Sequence, residues 1–249
     1  MIAKVESVNR VTSPVMEELF QRGAHYGCSR SRRHASVKPY IYGFKNQSAI
    51  IDLKQTLVAL EKAKTFLKEV ATNGKQLLLV GTKPEASSAI ESAAMRLGMP
   101  YVTSRWIGGT LTNFTEIRRR IDRLAALKSE RETGGFDVYT KRERAKLEKE
   151  IQDLGRYFSS LVALAKMPGA ILVIDSGAEA IAVAEARRMG VPIVSLSNTD
   201  CDLTLVDHPI VGNDGSVQSI AYFVTALASA YESGKVPAET PAPAVVPPL

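Results

Sequence analysis

His25, Cys28 and His34 are the first residues in the chain whose types suggest chemistry, because imidazole and thiolate at short spacing can chelate zinc. A fourth ligand is missing nearby, and Cys201 and His208 lie far along the chain. The favoured reading is therefore a small buried cysteine flanked by histidines that face RNA. The same stretch carries a stronger signal. Between Arg22 and Lys45 stand Arg22, Arg30, Arg32, Arg33, Lys38 and Lys45, with no aspartate or glutamate among them. The formal net charge is +6, and setting those six aside leaves 26 basic against 26 acidic residues, so the excess charge sits in this one segment. His25, Tyr26, His34 and Tyr40 are interleaved with the cations. Guanidinium forks grip phosphate and flat rings stack on exposed bases, so a block of one sign with aromatic spacing predicts an RNA surface.

The residues that could make an enzyme are fewer. Gly81-Thr82-Lys83 lacks the upstream glycine and the Gly-Lys-Ser/Thr ending of a phosphate-binding loop, and no Gly-x-Gly-x-x-Gly follows any expected strand. Lys83 reads as a solvated residue at a helix start. Asp175 reads as a residue that caps or orients the helix after it. Three histidines, no nucleophile elbow and no spaced carboxylate pair leave little for acid-base or covalent catalysis. The segment Ser104-Arg105-Trp106-Ile107-Gly108-Gly109 holds the only tryptophan. Arg105 and Trp106 could touch RNA, or the tryptophan could be an apolar wedge beneath the next element.

Two segments must position these groups, and they read as the same unit. Leu77 to Val80 and Ile171 to Ile174 are short, unbroken apolar runs, each followed by a helical stretch, a glycine (Gly98, Gly190) and a second strand start. Such units make parallel strands covered on both faces. Capping boxes are expected at Thr82 with Glu85 and at Ser176 with Glu179. Further strands are expected at Ala49 to Asp52, after Tyr40 to Tyr42. Helices are expected at Leu57 to Val70 and Val217 to Tyr231. The fold class is then a three-layer α/β sandwich.

Between the repeats, apolar residues recur every three or four positions. Phe114, Ile117, Ile121, Leu124 and Leu127 form one stripe, and Leu147, Ile151, Leu154, Phe158 and Leu161 another, the latter after a Thr140 to Glu143 capping box. Thr133-Gly134-Gly135 separates them, which predicts an inserted antiparallel coiled-coil hairpin that projects as an arm. The expected organisation is a discontinuous α/β domain over 14–113 and 167–232, a hairpin over 114–166, and a proline-rich, disordered tail over 236–249. Two cysteines and the lack of a long apolar run predict a soluble, cytoplasmic protein that is not secreted, with no membrane partner and no cofactor.

Several separated motifs, in order, resemble the bacterial-type small-subunit ribosomal protein S-two family. They are Gly23-Ala24-His25-Tyr26-Gly27, Lys38-Pro39-Tyr40-Ile41, Ile51-Asp52-Leu53, the Trp106 to Phe114 run, Glu179-Ala180-Ile181-Ala182, and Asn198 to Asp202 through Pro209-Ile210 to Gly212-Asn213-Asp214. The resemblance implies a flavodoxin-like (Rossmann-like) parallel sheet with the coiled-coil arm. It also implies binding to 16S-type rRNA near the head and body junction, and help in docking ribosomal protein S-one beside neighbouring small-subunit proteins. Where that family usually reads Gly-x-His-Phe-Gly-His, this chain has Tyr26 and ends in Cys28. Arg33-His34-Ala35-Ser36-Val37 stands for its usual Trp-Asn-Pro-Lys-Met, and Ser176 for its usual proline.

The expected RNA-binding residues are Arg22, His25, Arg30, Arg32, Arg33, His34, Lys38, Tyr40 and Arg105, with Arg118 and Arg119 on the hairpin. Hairpin support is also expected from Arg120, Arg123, Lys141, Arg142 and Arg144. Two competing classes are an α/β enzyme acting on a nucleotide or phosphorylated metabolite, which would supply a small-molecule substrate the first reading lacks, and a protein-docking module whose hairpin binds a partner coiled coil.

Overall fold

The computed structural model describes residues 14–235; the proline-rich tail expected over 236–249 lies outside them. The chain opens with helix α1 (Pro14–Gln21), strand β1 (Tyr26–Ser29), and two 3₁₀ turns at Arg30–Arg32 and Ala35–Tyr40. Then come β2 (Ile41–Lys45), β3 (Ser48–Ile51) and helix α2 (Leu53–Thr72), which begins four residues before the expected start because Asp52 caps it by accepting the Lys54 N–H. Next are β4 (Leu77–Val80), α3 (Pro84–Leu97), β5 (Tyr101–Val102), the helix pair α4 (Phe114–Glu132) and α5 (Lys141–Phe158), and β6 (Ala170–Ile174). The chain closes with α6 (Ala180–Met189), β7 (Ile193–Ser197), β8 (His208–Val211) and α7 (Val217–Gly234).

Five strands form one parallel sheet in the order β5-β4-β6-β7-β8. Counted within the sheet this is order 2-1-3-4-5, the flavodoxin-like winding, with its switch point between β4 and β6. The apolar runs split by parity. Leu77, Leu79, Leu172 and Ile174 join α2, α3 and α7 on one face, while Leu78, Val80, Ile171 and Val173 join α6 and the helix pair on the other. Each fully buried leucine contributes about 2 to 3 kcal/mol of transfer free energy, so the two faces together dominate the stability of the fold. The three-layer α/β expectation holds.

Several expectations are corrected. The strands near Ala49 and Tyr40 exist, but they build a separate three-stranded antiparallel sheet, β1-β3-β2, rather than extending the main one. Neither βαβ helix has its expected capping box. Helix α3 starts at Pro84, with Lys83 at the N-cap and no side-chain cap bond. The Glu179 carboxylate reaches across to accept the Thr82 N–H at 2.8 Å and the Thr82 hydroxyl, while the Ser176 hydroxyl pairs with Ser197. Thr82 and Glu179, each expected to cap its own helix, instead tie the two repeats together. The helix ends behave as expected: Gly98 and Gly190 take the left-handed conformation at φ +65° and +67°.

Helices α4 and α5 run antiparallel, with Arg123 paired to Glu150 and Arg131 to Glu148. The Thr140 to Glu143 capping box is present. Ile117, Ile121, Leu124 and Leu127 of α4 are buried, with Ile151 and Phe158 of α5 opposite, and this stripe is continuous with the core on the α6 face.

Candidate nucleic-acid interface

The basic segment is held at several points along its length by the loop after β7. The Cys28 N–H donates to Asn198 Oδ1 at 3.2 Å and to Thr199 Oγ1 at 2.9 Å. His34 N–H donates to the Thr199 carbonyl at 2.9 Å, and Ser36 Oγ accepts the Leu203 N–H at 3.1 Å. Beneath these bonds Val37 packs with Ile51, Leu203 and Val211 in a small core of its own. Loops that carry function work best on such rigid supports.

Held in this way, the segment presents Arg30, Arg32, Arg33 and Lys38 to solvent. The Arg30 N–H donates to the Gln47 carbonyl at 2.8 Å, which docks the arginine turn on the β2-β3 hairpin. Arg30 and Arg33 then place their guanidinium carbons 5.2 and 5.9 Å from the Phe44 ring centroid. Among the described residues, none of Arg30, Arg32, Arg33, Lys38 and Lys45 has a carboxylate partner. Arg105 is also exposed, and it too has no ion pair among the described residues. Tyr40 is half-buried and packs against the small core.

Not every expected residue faces outward. His25 is 6 % exposed and lies between Phe20, stacked at 4.2 Å between centroids, and Tyr26 at 4.0 Å. Burial pushes its pKa down and favours the neutral ring, so it supports the segment from inside rather than facing RNA. Arg22 is occupied by Glu18, with bonds of 2.7 and 3.2 Å. His34 is half-buried, bonded through Nδ1 to Ser36 at 2.8 Å and 3.7 Å from Asp202. The segment is acid-free in sequence, but folding brings Asp202 to its flank. Cys28 keeps its proton: burial, followed by the charge of Asp200, pushes its thiol up to about 11.

The hairpin arginines are more heavily paired than their number suggests. Arg118 binds Asp122 at 2.8 Å and the Leu164 carbonyl at 2.9 Å, Arg119 binds Glu116, Arg123 grips Glu150 through two bonds, and Arg144 binds Asp137. Arg120, Lys141 and Arg142 have no such partner among the described residues.

In an open α/β sheet the ligand crevice opens at the switch point, beyond the carboxyl ends of β4 and β6. Here that place is filled from within. Lys83 follows β4 and its ammonium bridges Asp175, after β6, and Asp214, the latter at 3.0 Å. Asp214 is buried and also accepts the Asn198 amide at 2.9 Å. Asp175 takes a left-handed φ of +65° and accepts the Gly177 and Ala178 N–H groups at 2.9 and 3.1 Å, the helix-orienting role expected of it. Lys83, by contrast, is not a solvated helix-start residue. Burial opposes its charge, but the two aspartates outweigh burial and raise its pKa. A lysine held this tightly by two carboxylates is not available to a phosphate.

The root of the hairpin depends on a residue that sequence spacing does not single out. Glu185 is 8 % exposed on α6, and its carboxylate accepts from Trp106 Nε1, from the N–H groups of Gly109, Leu111 and Thr112, and from the Thr112 hydroxyl. Trp106, 6 % exposed, is the wedge rather than an RNA contact. The one signal in the sequence is a lone acid on the otherwise apolar face of Ala182, Val183 and Ala186.

The fold and site thus define a flavodoxin-like scaffold whose ligand crevice is closed by its own ion pairs, and which carries a cluster of unpaired cations on the turns beside an appended antiparallel sheet. The family model for ribosomal protein S2 matches residues 19–234, and the chain belongs to that family. It is 42% identical over 219 residues to small ribosomal subunit protein uS2 of Rhodococcus opacus, covering 88% of this chain and 76% of the relative. The same protein of Bdellovibrio bacteriovorus is 43% identical over 219 residues, with 88% and 70% covered. Members of the family are structural, non-enzymatic constituents of the small ribosomal subunit, and this chain is not an enzyme.

Proposed function

We infer that this protein, on the cytoplasmic small ribosomal subunit, binds 16S-type rRNA near the head and body junction through the face built by Arg30, Arg32, Arg33, Lys38 and Lys45. The observation that carries this reading is the arginine turn itself. Three exposed guanidinium groups lie within four residues, none has a carboxylate partner among the described residues, and two are held over Phe44. Charges left free despite their mutual repulsion are suited to a polyanion. Arg105 extends the same reading to the loop before the hairpin. Arg118 and Arg119, both ion-paired, would have to exchange a carboxylate for a phosphate, so Arg120, Lys141 and Arg142 are the better hairpin candidates.

The helix pair, over 114–166, acts as the arm of a discontinuous α/β domain and meets neighbouring subunit proteins. Helping to dock ribosomal protein S-one rests on family likeness. Reversing charge at Arg30, Arg32 and Arg33 together should weaken rRNA binding and reduce the salt slope by roughly 0.7 to 0.9 for each phosphate no longer neutralised. Unchanged affinity and slope in that variant would remove this face from the interface.

A further inference from the structure

Two aromatic rings stand out from the basic face into solvent. Tyr42 is 82 % exposed and Phe44 is 41 % exposed, two residues apart on β2. Tyr42 is the most exposed aromatic side chain among the described residues, and it lies on the strand whose Phe44 is already covered by two guanidinium groups. The hairpin that carries the two rings is closed at its tip, with an irregularity in the pairing between Ile41 and Gly43 that falls at Tyr42. Lys45 and Ser48 pair across a two-residue turn in which Asn46 and Gln47 both take positive φ, +49° and +66°, the geometry of the tight hairpin turn that matches strand twist. The bond from Arg30 N–H to the Gln47 carbonyl fastens the arginine turn to this tip.

We propose that the β2-β3 hairpin is a stacking platform for unpaired nucleotides of RNA, with Tyr42 offering its ring to a base while Phe44 holds Arg30 and Arg33 against the flanking phosphates. The proposal rests on the rRNA-binding reading above and adds the kind of RNA recognised. Charge alone would serve a duplex as well as a single strand. A-form duplex, however, keeps its base faces inside the stack and offers proteins mainly phosphates and 2′-hydroxyls, to which an exposed ring adds nothing. An unpaired base has a free face, and ring stacking on it is tolerant of sequence. The phenyl ring of Phe44 also orients two guanidinium planes beforehand, so less side-chain freedom is lost when phosphate arrives.

The test uses the full chain with labelled oligoadenylate, a blunt RNA duplex of equal length, and small-subunit rRNA, read by anisotropy across a salt series. Oligoadenylate should bind more tightly than the duplex. Tyr42→Ala should weaken oligoadenylate by about 5- to 100-fold with the salt slope unchanged, because no cation is removed. Tyr42→Trp should retain the affinity, and duplex binding should not respond to either variant. Wild-type protein that binds rRNA while Tyr42→Ala binds every probe equally well overturns the platform alone. Wild-type protein that binds none of the three probes overturns the rRNA reading and the platform together. Tyr42 is almost fully exposed, so its replacement leaves the fold intact.

Discussion

The Glu185 carboxylate accepts the indole N–H of Trp106 at 3.2 Å, and in doing so fixes the loop from which the helical hairpin departs to the helix beneath it. The same two oxygens take three backbone N–H groups and one hydroxyl from residues 109 to 112. A buried negative charge surrounded by five donors is stable, but each donor depends on it.

Replacing Glu185 by alanine leaves the Trp106 and Leu111 donors buried without an acceptor. At about 1 to 3 kcal/mol for each unsatisfied group, a loss of roughly 3 to 5 kcal/mol is expected. For a chain of this size that lowers Tm by about 10 °C. Thermal and urea unfolding measure it directly, and a Tm within about 2 °C of the parent would show that the carboxylate is not what holds the root.

Acid should act through the same group. Burial alone would raise the pKa of Glu185, but the N–H groups of Gly109, Leu111 and Thr112 outweigh it and hold the carboxylate below its ordinary range. Burial likewise opposes ionisation of Asp175, and there Lys83 and the Ala178 N–H prevail, so its pKa is also lowered. The unfolded chain therefore takes up these protons first. The stability they provide is complete above the unfolded value, about 4, and is lost as pH falls through the lower folded values. Asp214 has the opposite sign: burial raises its pKa, so its ionised form is disfavoured by the fold and its contribution declines as pH rises through the raised value. In Glu185→Gln the acid limb of stability against pH should be shallower by up to about 1.4 kcal/mol per pH unit. An identical limb in the variant would refute the assignment.

What is legible in the sequence follows the periodic parts of the chain. The unbroken runs at Leu77 to Val80 and Ile171 to Ile174, the glycines 98 and 190, and the i, i+3, i+4 stripe on the hairpin are local signals, and the structure realises each one. What the sequence hides is long-range. Glu179 sits where a capping-box acid would, yet its partner is Thr82, 97 positions away. Strand β8 carries Pro209 and so reads poorly as a strand, which the proline tolerates because β8 is at the sheet edge. His25 resembles a surface ring because it falls within the acid-free block, but its two ring partners, Phe20 and Tyr26, are local residues that the charge count passes over. Counting charges along the chain also hides the approach of Asp202 to His34.

Lys83 is the only cation bonded to Asp175 and Asp214 among the described residues, and Asp214 is nearly inaccessible. Removing one partner of a buried ion pair strands the other, at a typical cost of about 3 to 5 kcal/mol. Lys83→Met should therefore destabilise the protein strongly in urea unfolding while leaving rRNA affinity unchanged, because the arginine turn is held by the Asn198 amide oxygen, the Thr199 hydroxyl and carbonyl and the Gln47 carbonyl, none of them bonded to Lys83. Adding Asp214→Asn to that variant should recover much of the loss, since it removes one of the two stranded charges. A crevice built for nucleotides would behave in the reverse manner: ATP would raise the Tm of the parent protein in a saturable way, and Lys83→Met would abolish that rise while barely changing stability without ligand. The ion-paired lysine at the switch point closes the crevice while joining three strand ends, those of β4, β6 and β8, to one another.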